Sequence, residues 1–131
     1  MGGRSEGKRD STSGATTAPT FERLAEGDFH RRIAGSAGIA AVLFTAPHCG
    51  ACRRWQQLLP TALEETAVAF YEVDVSEATG VARYFEIFHL PTIYLYRDGR
   101  FHAELQCPPQ AALVRAATRA LLEAPAQEEP G

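Results

Sequence analysis

The run Ile39-Ala40-Ala41-Val42-Leu43-Phe44 restricts the folds open to this chain more than any other feature. These six residues are continuously apolar and bounded by Gly38 and Pro47. They lack the alternation of a strand with one wet face and are too short for a buried helix, so they predict a strand covered on both sides. Such a strand needs helices above and below its sheet. The neighbouring sequence supplies them. Phe29 and Ile33, four residues apart between Gly27 and Gly35, predict a short first helix. Trp55, Leu58, Leu59, Ala62 and Leu63 recur at three and four between Gly50 and Thr66, the period of a helix face. Pro60 predicts a kink there, or a restart, because Thr61-Ala62-Leu63-Glu64 has capping-box spacing.

Around this unit the elements alternate. Phe21–Leu24 reads as a short edge strand, and Val68–Val75 as a strand rich in aromatic and β-branched residues. Ser76 is then placed to cap a helix whose one face carries Ala78, Val81, Ala82 and Phe85. Pro91 opens the strand Thr92–Tyr96, and Asp98-Gly99 predicts a hairpin that returns Arg100–Leu105 antiparallel. Leu113, Val114, Ala117 and Leu121 stripe a last helix entered through Pro108-Pro109. The order β-α-β-α-β-α-β-β-α predicts an α/β domain with a mixed central sheet flanked by helices on both faces.

The chain has 131 residues, enough for one domain of ordinary size. That domain is expected over 20–123. Residues 1–19 and 124–131 hold little to bury and read as disordered tails. Thirteen Lys and Arg against sixteen Asp and Glu give −3 at pH 7, which argues against binding nucleic acid or an anionic membrane surface. The longest apolar run falls far short of the roughly 18 residues that cross a bilayer. The first twenty residues contain no apolar core of a secretory signal, so a cytoplasmic location is expected. Three cysteines, an odd number in a chain this long, exclude a disulfide scaffold.

The chemistry lies in the spacing of two of them. Cys49-Gly50-Ala51-Cys52 falls where the strand Ile39–Phe44 hands over to a helix. Unpaired N–H groups and the macrodipole at a helix start favour negative charge, so Cys49 is expected to hold a thiolate below the free-cysteine pKa of about 8.5. Cys52, one turn deeper on the same face, is within reach to close a disulfide. The expected division is attack by Cys49 and resolution by Cys52. Metal carriage through this pair with Cys107 and His48 would require a spacing unlike known zinc modules. Phe44, Trp55, Phe70, Phe85 and Phe88 fall at core-facing periods and are assigned to packing.

From Phe21 to Leu122 the sequence resembles the thioredoxin family. The resemblance rests on Cys49-Gly50-Ala51-Cys52 after a buried strand, Leu90-Pro91-Thr92 before the hairpin, and the Asp98-Gly99 turn. It implies a five-stranded sheet with four helices, a cis proline at Pro91 beside the cysteines, and a client strand pairing with the backbone of Leu90. His48, Gly50, Ala51, Leu90, Pro91 and Cys107 are the substrate-facing positions it implies.

The sequence also departs from the family. Leu43 stands where a buried Asp is common, and Glu72 at the place read as its partner Lys. Glu72 is therefore a candidate to accept the Cys52 proton. Ala51 replaces the usual Pro between the cysteines and restores a backbone N–H, which predicts a more acidic Cys49 and a less reducing pair. His48 replaces an aromatic residue, and Cys107 a small Gly. Cys107 is either a small buried hydrophobe or a third thiol facing the pair.

The function expected is thiol–disulfide exchange with protein disulfides, without metal or organic cofactor. The oxidised form would be returned by an NADPH-dependent reductase, and the protein would act as a monomer. The alternative is a binding or escort module with weak redox activity, motivated by Leu43, Glu72 and Cys107.

Overall fold

In the computed structural model, which describes residues 21–131, the apolar run forms strand β2 (Ile39–Thr45), with Ala40 to Phe44 completely buried. Before it come strand β1 (Glu22–Arg23) and helix α1 (Phe29–Ala34). After it come α2 (Gly50–Ala62), β3 (Ala69–Asp74), α3 (Thr79–Tyr84), β4 (Thr92–Arg97), β5 (Arg100–Glu104) and α4 (Ala111–Glu123). The sheet order is β1-β3-β2-β4-β5. β3 runs parallel to both β1 and β2, while β4 is antiparallel to β2 and to β5.

Alternation along β2 divides the core in two. Ala40, Val42 and Phe44 face a cluster with Phe29, Phe85 and Tyr94, whereas Ala41 and Leu43 face Trp55, Leu59, Leu95 and Val114. Helices α1 and α3 cover the first face, and α2 and α4 the second. Each fully buried Leu or Phe on β2 contributes about 1.5–3 kcal/mol by leaving water.

The hairpin forms at Asp98-Gly99, whose φ values of 52° and 82° are those of a two-residue turn matched to strand twist. Asp98 Oδ1 accepts a hydrogen bond from Gly38 N at 2.7 Å. A Cβ at Gly99 would stand 2.6 Å from the carbonyl oxygen of Ala34, so glycine is required twice over, for its φ and for space.

Several boundaries depart from the sequence expectation. Helix α2 continues through buried Pro60 to Ala62, and no restart occurs at Thr61. Pro60 sits in the last turn, where it removes a single helical donor, and burial of Leu59, Ala62 and Leu63 holds the helix against that loss. Ser76 does not cap α3, which starts at Thr79 after Ala78 without a side-chain cap. Ser76 instead donates its backbone N–H (2.8 Å) and hydroxyl (2.6 Å) to Asp74 Oδ1, a turn stabilised by the aspartate side chain.

Residues 1–19, read as a disordered tail, lie outside the described residues. The segment 124–131 is not the free tail expected. Gln127 N donates to His102 O at 2.7 Å, and Gln127 Oε1 accepts from Glu104 N at 3.1 Å. The outer edge of β5 carries backbone groups that need partners, and this segment provides them.

Candidate active site

Strand β2 ends at Thr45, and Ala46-Pro47-His48 carries the chain to Cys49, the N-cap of α2. Cys49 has extended backbone (φ −92°, ψ 103°), as an N-cap residue does, and its Sγ takes the place of a capping oxygen. It accepts a hydrogen bond from Cys52 N at 3.1 Å. The two cysteines are joined in a disulfide with Cα atoms 5.2 Å apart. Cys52 is buried with 1% exposure, Cys49 is half-buried, and His48, Gly50 and Ala51 are exposed.

In the disulfide the N–H that bonds the Cys49 sulfur belongs to Cys52. A Cβ at Gly50 would meet nothing within 4 Å, which leaves the mouth of the site open.

The Leu90–Pro91 peptide bond is cis. Because Phe44 pairs with Thr92 across β2 and β4, that peptide and the loop leading to Cys49 leave the sheet at the same end, from neighbouring strands. Thr92 Oγ1 donates to His89 O at 2.7 Å and ties the preceding loop to the strand. Leu90 and Pro91 are half-buried.

Glu72 is paired in register with Leu43 on β2 and with Arg23 on β1. Its Oε2 accepts from Gln56 Nε2 at 2.9 Å and lies 3.3 Å from Arg23 Nη2, with its side chain 14% exposed. Arg23 also reaches Asp74 at 3.6 Å and Glu77 at 3.5 Å. A cleft of about 170 Å³ lies between these groups, lined by Cys49, Arg53, Gln56, Glu72 and Asp74 among others. Ser76, bonding through its hydroxyl and its N–H, holds the Asp74 carboxyl below the usual range against the opposing effect of burial, with help from Arg23. Leu43, wholly buried, offers no acid in the middle of the sheet.

Cys107 is a free, half-buried cysteine packed against the cluster of Trp55, Leu105 and Val114, and burial pushes its thiol up from the ordinary value. Gln56 and Arg23 escape a reading of motifs. Gln56 lies one turn past Cys52, the one signal in the sequence that bears on it. Arg23 enters through sheet register alone. The assignment of Phe88 to packing is overturned. Phe44, Trp55, Phe70 and Phe85 are buried as expected, but Phe88 is 86% exposed.

A mixed sheet between two helical layers, with a closed cysteine pair at a helix start, defines a protein of the thioredoxin fold carrying the arrangement of thiol–disulfide oxidoreductases in general. The Thioredoxin family model matches residues 20–119, and the chain belongs to that family. Thioredoxin domain-containing protein 2 of Rattus norvegicus is 36% identical over 61 residues, 46% of this chain and 11% of that protein. The chain thus spans about a tenth of that relative. Thioredoxin of Mycoplasma pneumoniae is 35% identical over 74 residues, covering 55% of this chain and 72% of that protein. Among solved structures, oxidised mitochondrial thioredoxin 3 of Saccharomyces cerevisiae superposes with a TM-score of 0.63 at 21% identity, over 79% of this chain and 95% of that one. No helix among the described residues is long and apolar enough to cross a membrane.

Proposed function

We propose that this protein exchanges disulfides with other proteins through Cys49 and Cys52. In the reducing direction the Cys49 thiolate attacks a client disulfide, forming a Cys49–client disulfide and expelling one client thiolate, which takes up a proton. Cys52 then loses its proton and attacks the Cys49 sulfur, expelling the second client thiolate. Two electrons pass from the protein dithiol to the client, and the Cys49–Cys52 disulfide remains. Glu72, whose carboxylate lines the cleft with Cys49 while Asp74 is engaged by Ser76, receives the Cys52 proton. The backbone of Leu90 beside Pro91 pairs with an extended client segment. An external dithiol or an NADPH-dependent reductase returns the disulfide to the dithiol, in the cytoplasm.

The observation that carries this reading is the half-buried Cys49, whose sulfur caps α2 and is bonded to buried Cys52. Reduction of insulin by dithiothreitol, followed by turbidity, tests it. The intact protein is expected to accelerate precipitation and Cys49→Ser to abolish the acceleration. A rate no greater than dithiothreitol alone overturns it. The apolar Leu43 in place of an acid favours one other reading, an escort that binds clients without turnover. It would show no acceleration, with client capture unchanged in Cys49→Ser.

A further inference from the structure

Four large apolar side chains stand exposed among the described residues, Val68, Tyr84, Phe88 and Leu113, and Phe88 is the most exposed of them. It is also the one in the loop that leads to the cis peptide, three residues before Pro91. Its exposure does not come from a loose loop. Helix α3 ends in a two-bond turn, with Ile87 N donating to Ala82 O at 2.9 Å and Glu86 N to Arg83 O at 3.1 Å, and with Glu86 left-handed at φ 56°. Ile87 turns in against the Phe85 and Tyr94 cluster, and Phe88 is left facing out. On the other side the Thr92 hydroxyl fastens the carbonyl of His89.

Phe88 borders two hollows. One, of about 260 Å³, extends to Thr92 and Tyr94, and the other, of about 530 Å³, lies against Ala82 and Ile87. Arg83 and Glu86 oppose each other at the second hollow, Glu104 and His89 stand at the first, and between them Phe85, Ile87, Phe88 and Tyr94 supply apolar surface, so the contact offered by Phe88 itself is apolar. Exposing a rigidly held phenylalanine at such a place favours an apolar contact made only in the complex.

We propose that Phe88 is a specificity-determining residue that receives an aromatic or branched aliphatic side chain of a client polypeptide, a few residues from the client cysteine under attack. The inference rests on the reading of Leu90–Pro91 as the edge along which the client lies.

The test uses two disulfide-bridged peptides that differ only in Trp or Ser near one cysteine, with bis(2-hydroxyethyl) disulfide as a substrate too small to reach Phe88. The intact protein is expected to reduce the Trp peptide about 2- to 10-fold faster by kcat/KM, the effect of one aromatic pair. Phe88→Ser is expected to erase the preference and leave the rate on the small disulfide unchanged, while Phe88→Leu keeps part of it. Because Phe88 is exposed, these variants leave no cavity. Equal rates on both peptides, or a preference that survives in Phe88→Ser, overturn the inference while leaving the redox reading intact. Failure of the intact protein to reduce any of the three substrates overturns both.

Discussion

Replacing Glu86 by Gly is expected to stabilise the protein, although glycine loses more conformational freedom on folding than any other residue. Glu86 is the left-handed residue closing α3, with φ 56°, a place usually taken by glycine. Its side chain is exposed and has no hydrogen bond or ion pair among the described residues, so truncation sacrifices no polar contact with them. The left-handed conformation disfavours an L-residue by about 1–2 kcal/mol. The extra freedom of glycine in the unfolded chain takes back about 0.5–1 kcal/mol. A net gain of about 0–1.5 kcal/mol remains, centred at about 0.75, which at its centre raises Tm by about 3–6 °C for a domain of this size. Urea unfolding of the oxidised protein, followed by fluorescence of the single tryptophan, Trp55, measures it. Glu86→Ala separates backbone from side chain, because it keeps the Cβ and should stay within about 0.5 kcal/mol of the parent. Alanine gaining as much as glycine would show that loss of the carboxylate was responsible. Glycine losing stability would refute the left-handed assignment.

Two further outcomes are expected. Burial raises the Cys107 thiol, so iodoacetamide at pH 7 should modify Cys49 of the reduced protein well before Cys107, whose labelling should rise only at alkaline pH or on unfolding. Mass-spectrometric mapping that found Cys107 as reactive as a free cysteine at pH 7 would contradict its packing. Asp74 titrates below its ordinary 3.8, so its contribution to stability is present above that value and is lost as pH falls through the lower, folded-state value. Ser76→Ala should therefore weaken the protein at pH 7, by about 1–3 kcal/mol for a hydrogen bond to a charged group, with the difference shrinking on acidification. Urea midpoints at pH 7 and pH 3 measure this, and a deficit independent of pH would be inconsistent with it.

The elements legible in the sequence are those whose signal is local. The continuous apolar run of β2, the helix period after Cys49, the Asp98-Gly99 turn and the cysteine spacing all report interactions between residues a few positions apart, and each appears in the structure. The same local rules misplaced Phe88. Phe85 and Phe88, three apart, share a face only if the helix continues, and α3 ends at Tyr84. The turn at Glu86 then reverses the phase. Ser76 failed as a cap for a similar reason, since Asp74 competes for its N–H and hydroxyl before a helix can begin.

Local patterns along the chain determined the class of fold, the layering of its core and the two sulfurs that pair. Tertiary structure decided what surrounds those sulfurs. Arg23 meets Glu72 only because β1 pairs with β3 in one particular register, and Gln127 meets His102 only because the β5 edge is open to it. Contacts between residues dozens of positions apart depend on how strands align and where helices stop. Those are properties of the whole packed chain, which no short window of sequence contains.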